Sequence, residues 1–183
     1  MKRKFPPRIK LENKPNLYLV GFMGTGKSAR GRRLARRFSM QLLDSDAEIE
    51  KKYALPINEI FARFGEERFR EMEREFIENG HPNESCVISC GGGLVCRDGM
   101  PELLKSKGVV VVLFAEPEVI FKRVSSSNKR PLLNVENPFE RIKELFEKRK
   151  AFYEKSGICV NSNGNIKDIE ERIARIYIQN AKR

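Results

Sequence analysis

Gly21-Phe22-Met23-Gly24-Thr25-Gly26-Lys27-Ser28 carries the clearest chemistry in this chain. The string fits G-x-x-x-x-G-K-[ST], a loop whose backbone N–H groups turn inward around phosphate oxygens. Lys27 adds a positive charge for the outer phosphates, and the Ser28 hydroxyl can ligate Mg²⁺. The loop sits between a short apolar run, Leu17 to Val20, and a stretch with Leu34, Ala35 and Phe38 at helical spacing. A helix starting at this point aims the positive end of its dipole at the bound anion.

A phosphate loop alone admits an ATPase, a GTPase or a small-molecule kinase. The chain has no Asn-Lys-x-Asp guanine motif. Its third predicted strand ends Ser89-Cys90-Gly91, without the acid that many such proteins use to hold Mg²⁺. Asp44, ending the neighbouring strand, is the obvious supplier, directly or through metal-bound water. Asp46, two residues on, is then free to orient an acceptor hydroxyl and take its proton. A helix-capping role is also open to Asp46, since a short carboxylate satisfies free N–H groups at a helix start. Arg70 lies between Phe69 and Met72, with Glu73 at i+3 able to hold it. Arg149, from spacing alone, is one more charge on a charged helix. Arg130-Pro131-Leu132-Leu133 closes a polar segment and reads as the end of a lid whose arginine can reach a transferring phosphate.

These residues must be positioned by strands alternating with helices. Strands are expected near 17–21, 41–44, 87–89, 109–114 and 158–160, with Val109 to Phe114 as a central one. Helices are expected from Lys27 to Phe38, Asp46 to Lys52, Ile57 to Glu78 with a break at Gly65, Asp98 to Lys105, Pro117 to Val124, Phe139 to Lys155 and Ile166 to Gln179. That alternation predicts an α/β fold: a five-stranded parallel sheet between two helical layers, with ligands beyond the carboxyl ends of the strands. The phosphate loop, Asp44 with Asp46, and Gly91-Gly92-Gly93 all fall at such ends. Residues 1–15 read as a basic, poorly ordered leader before a single domain over 16–183, with a mobile lid at about 122–137.

Composition narrows the setting. The 183 residues carry a formal net charge of +11, with 36 basic and 25 acidic side chains. Lys27, Arg30, Arg32, Arg33, Arg36 and Arg37 contain no acid among them. Such a cluster suits a nucleic-acid surface or a field that draws in a polyanionic nucleotide. No RNA-binding aromatic motif supports the first, so no nucleic-acid partner is expected. Cys86, Cys90, Cys96 and Cys159 lack paired metal spacing and read as reduced thiols. No apolar run approaches a membrane span and no signal-like stretch follows the basic start, so a cytoplasmic protein without membrane contact is expected; a monomer is the expected state.

Taken together, the chain resembles shikimate kinase, a P-loop kinase family of the nucleoside-monophosphate-kinase fold. The matching pieces are Gly21–Ser28, Asp44-Ser45-Asp46, Phe61…Gly65-Glu66…Phe69-Arg70…Glu73, Gly91-Gly92-Gly93, Arg130-Pro131-Leu132-Leu133 and Arg149…Tyr153, from about residue 16 to the C-terminus. The resemblance implies ATP with Mg²⁺ as phosphoryl donor and the 3-hydroxyl of shikimate as acceptor. Gly24, Thr25, Gly26, Lys27, Ser28 and Ala29 would wrap the ATP phosphates. Asp46 would be the base, Lys27 and Arg130 would serve the transferring phosphate, and Arg123 would flank adenine. Arg70 and Arg149 would clamp the substrate carboxylate, and Gly92 and Gly93 would approach the ring. Two departures stand out. Ala29 replaces the usual Thr, and Asn161-Ser162 replaces the commoner Asp-Thr with no proline following. A kinase for another small hydroxy acid such as gluconate, and a degenerate kinase fold binding nucleic acid or protein, are the competing expectations.

Overall fold

The computed structural model describes residues 11–12, 14–125 and 135–181. In chain order the elements are β1 (Asn16–Gly21), α1 (Lys27–Phe38), β2 (Gln41–Asp44), α2 (Ser45–Tyr53), α3 (Ile57–Asn79), β3 (Cys86–Ser89), α4 (Met100–Lys107), β4 (Gly108–Phe114), α5 (Pro117–Val124), α6 (Pro138–Ser156), β5 (Ile158–Asn161) and α7 (Ile166–Ala181). Every strand pairing is parallel, in the order β2-β3-β1-β4-β5. Val109 to Phe114 is an interior strand as expected, lying between β1 and β5, and β1 is the middle strand of the five.

Period-two alternation divides the sheet into two cores. Leu17, Leu19, Val109, Val111 and Leu113 pack with Leu34 and Phe38 of α1 and Ile173 and Tyr177 of α7. Tyr18, Val20, Ile88, Val110 and Val112 join Phe76 of α3, Leu104 of α4, Ile120 of α5 and Ile142 of α6. Both faces of β1 and β4 are thus covered, which is why these strands are apolar throughout rather than alternating. Gly65 breaks the long third helix as expected, with φ 79° and ψ 173°.

The body takes in the end of the basic leader. Ser85 N–H donates to Lys14 O at 2.7 Å, and the Tyr177 hydroxyl donates to Pro15 O at 2.8 Å. Most of the expected lid, with Arg130, lies outside the described residues, as do residues 1–10 of the leader.

Asp46 does not cap α2. The helix starts at Ser45, and Asp44 holds the capping position without a side-chain cap bond. The reason is register: Asp44 is still extended (φ −117°, ψ 121°) because it pairs with Ser89. Asp46 therefore falls in the first turn, where its charge favours the helix dipole and its side chain is released from capping.

Candidate active site

The carboxyl ends of β1, β2 and β3 open into a cleft of about 490 Å³, lined among others by Gly24, Lys27, Ser28, Asp44, Asp46 and Gly92. Lys27 Nζ donates to Gly21 O at 2.7 Å and to Phe22 O at 3.0 Å, so the ammonium is folded over the loop it belongs to. Thr25 is buried, and its hydroxyl donates to Phe22 O at 2.8 Å, turned into the loop. Ala29 is exposed in the first turn of α1.

Ser28 Oγ donates to Asp44 Oδ2 at 3.3 Å and lies 3.1 Å from Ser89 Oγ. Parallel pairing of Asp44 with Ser89 creates this oxygen cluster from three segments. A hydroxyl pair with one carboxylate is a hard, all-oxygen donor set and suits Mg²⁺, which keeps several waters and leans on substrate phosphates. Among the described residues no group of three or more His, Cys, Asp or Glu side chains could hold a metal by itself.

Asp46 faces the same cleft. Burial pushes its carboxyl pKa up, and the neighbouring charge of Asp44 pushes it further, against Lys27 and Arg70. Ser45, which carried no expectation, fixes the arrangement. Its hydroxyl accepts from Gly91 N–H at 2.8 Å and donates to Asp46 Oδ1 at 3.2 Å, tying β3's end to α2. A side chain at Gly91 would collide with Asp46 Oδ1, and one at Gly93 would come within 2.6 Å of the Arg70 guanidinium. The glycine triplet is thus a surface against which charged side chains lie flat.

Arg70 is held from both sides on α3. Nη1 donates to Glu73 Oε2 at 2.7 Å and Nη2 to Glu66 Oε1 at 2.8 Å. Glu73 is buried, and burial pushes its pKa up to about 7 even against the opposing pull of Arg70. Arg149 arrives from α6, with Nη1 3.5 Å from Gly92 O and its guanidinium over the Phe22 ring. One turn on, the buried Tyr153 hydroxyl donates to Gly92 O at 2.6 Å. Arg70 and Arg149 therefore meet at the triplet, although separate helices carry them. Arg123 donates to Gly24 O at 3.3 Å and Ser162 O at 2.8 Å, joining the phosphate loop to the turn after β5.

Ser45, Ser89 and Tyr153 had no expected role. Ser45 between two acids was the one legible signal. The other two act through strand register and a helix face that only meet in three dimensions.

A parallel sheet with a phosphate loop at its centre, a carboxylate facing that loop and an arginine pair beyond it define a P-loop kinase for a small acidic acceptor. The shikimate kinase family model matches residues 23–180. A shikimate kinase from Thermodesulfovibrio yellowstonii is 44% identical over 163 residues, spanning 88% of this chain and 94% of that relative. One from Pelotomaculum thermopropionicum is 47% identical over 128 residues, 70% of this chain and 74% of the relative. The shikimate kinase of Acinetobacter baumannii, solved in complex with shikimate, superposes with a TM-score of 0.85 at 34% identity, covering 92% of this chain and 96% of that one. The chain belongs to the shikimate kinase family. It is an enzyme, a phosphotransferase of the shikimate pathway. A gluconokinase from Sinorhizobium meliloti shares the fold alone, at 16% identity and a TM-score of 0.63. Among the described residues no helix is long and apolar enough to cross a membrane.

Proposed function

We propose that this chain transfers the γ-phosphoryl group of ATP to the 3-hydroxyl of shikimate, with Asp46 as the base. The observation that carries the reading is the placement of Asp46, in one cleft with Lys27 and Ser28 and backed by a glycine triplet that leads to Arg70. A carboxylate with a raised pKa is the better proton acceptor for a hydroxyl that becomes acidic only as it attacks. Arg70 and Arg149 hold the substrate carboxylate, a task suited to the planar guanidinium fork. Glu73 keeps Arg70 in place from below, and Gly92 and Gly93 let the ring approach the backbone.

On the nucleotide side, Gly24 to Ala29 present the loop to the phosphates, and Lys27 exchanges its two carbonyl partners for phosphate oxygens. Ser28 would hold Mg²⁺, with Asp44 acting on it through water. The ion supplies charge neutralisation on the phosphates. Arg123 flanks adenine, and Arg130 contacts the transferring phosphate from a lid over about 122–137. We place the enzyme in the cytoplasm and working as a monomer.

The test is ADP release in a coupled assay with shikimate, quinate and gluconate as acceptors. Turnover with shikimate, and little with the other two, is expected. No turnover with shikimate at millimolar concentration refutes the reading.

A further inference from the structure

Arg30 lies behind the phosphate loop, on the second turn of α1. It is 5% exposed and lines no part of the cleft. Its Nη1 donates to Thr25 O at 3.0 Å and lies 3.4 Å from Gly26 O. A Cβ on Gly26 would occupy the position of that same nitrogen, so Gly26, at φ 90°, both makes the turn and admits the guanidinium. The Nε of Arg30 is buried and has no hydrogen-bond partner among the described residues. A buried guanidinium with an unmade bond costs free energy, which makes it a poor device for stability alone.

The peptide geometry says what the contact does. In a trans peptide the C=O of one residue and the N–H of the next point in opposite directions. Anchoring Thr25 O from behind therefore turns Gly26 N–H toward the cleft, whereas Gly26 O is already held by the backbone N–H of Arg30 at 3.1 Å, the first bond of α1. Backbone N–H groups of this kind are what a phosphate loop offers to its anion. Glu170 of α7, itself ion-paired with Arg33 at 2.7 Å, supplies the opposing charge that lets the arginine stay buried there.

We propose that Arg30 is a positioning residue of the nucleotide site: through Thr25 O its side chain sets the direction of the Gly26 N–H group and so the affinity for nucleotide phosphates. The inference rests on the phosphate-loop half of the proposed function and is independent of the acceptor. Calorimetric titration with ADP tests it directly. Arg30→Met should weaken ADP binding by about tenfold, the worth of a charge-assisted hydrogen bond. It should raise KM for ATP in parallel and leave KM for shikimate within about twofold. Arg30→Lys, which keeps the charge without the fork, should recover part of the loss. Arg30→Gln, neutral but still polar in the same wall, gives the same reading if the Met variant does not fold. A folded neutral variant that binds ADP within about twofold of the parent overturns the proposal. A parent chain that binds ADP yet does not phosphorylate shikimate would instead refute the acceptor assignment and leave Arg30 in its role.

Discussion

The two ends of the β-sheet both bury polar groups, and they treat them oppositely. At the amino end, Asn16 Oδ1 accepts from Cys86 N–H at 3.0 Å, and its Nδ2 donates to Pro82 O at 2.7 Å. His81 bridges Pro82 O at 2.8 Å and the Tyr18 hydroxyl at 3.2 Å, an arrangement that fits the Nδ1–H tautomer. Among the described residues no carboxylate or ammonium hydrogen-bonds within this network. At the carboxyl end, Asp44, Asp46 and Glu73 crowd around Lys27 and Arg70, and two of the three carboxyls are pushed upward in pKa. A satisfied neutral network holds strands in register. A cluster of buried carboxyls with raised pKa values is the arrangement that gathers at functional sites. One sheet therefore has a structural end and a chemical end.

The comparison breaks most sharply at Asp46. Asp46→Asn removes the proposed base and should lower kcat by about a thousandfold while ADP binding persists. Steady-state assay and ADP titration check both halves, and retained turnover would transfer the role of base elsewhere. Arg70→Ala comes next. It removes a charged fork, so KM for shikimate should rise by about 10- to 100-fold with a smaller change in KM for ATP. An unchanged KM for shikimate refutes the clamp.

Changes at the amino end should act on stability alone. Asn16→Ala leaves the buried Cys86 N–H unpaired and should cost about 1–3 kcal/mol in a urea melt, with kcat unchanged below the transition. A lost kcat in the folded variant would dissolve the distinction between the ends.

Acid and base should separate the ends as well. Burial lowers the His81 pKa below its ordinary 6.5. As pH falls the unfolded chain takes that proton first, so stability contributed by neutral His81 declines below about 6.5. Glu73 has the opposite sign. Its pKa is pushed from 4.5 to about 7, so its contribution is present in full below about 4.5 and is lost as pH rises through about 7. The two windows overlap with opposite slopes, so between about pH 4.5 and 7 urea midpoints should rise less with pH in His81→Gln, and fall less with pH in Glu73→Gln, than in the parent. The smallest effect is expected at Ala29→Thr, which restores one hydroxyl beside the loop and should lower KM for ATP by about twofold.

Much of the site was legible before any coordinates. The phosphate loop reads from fixed spacing, because one short segment makes its own turn and helix start. Asp44, Asp46 and the glycine triplet read from their positions at strand ends, because parallel sheets bring those ends together. Gly65 was legible as a break for the same local reason. The misplaced cap at Asp46 came from treating α2 alone. Its start was set by pairing of Asp44 with Ser89, 45 residues away, and no local pattern encodes that. Val109 to Phe114 read correctly as an interior strand, since an unbroken apolar run reports burial on both faces.

The sequence by itself therefore determined the elements, the phosphate loop and the residue types at the sheet's carboxyl edge, because periodicity and turn chemistry act over a few residues. Only the tertiary structure decided which charges are buried. Arg30 reads as one basic residue in a row of them until α1 lies against the loop and α7 brings Glu170 beside it. Glu73 reads as a helix-surface acid until α3 packs it beneath Arg70 and the glycine triplet. Burial and opposing charge tune these groups, and both are sums over neighbours that the chain order keeps far apart.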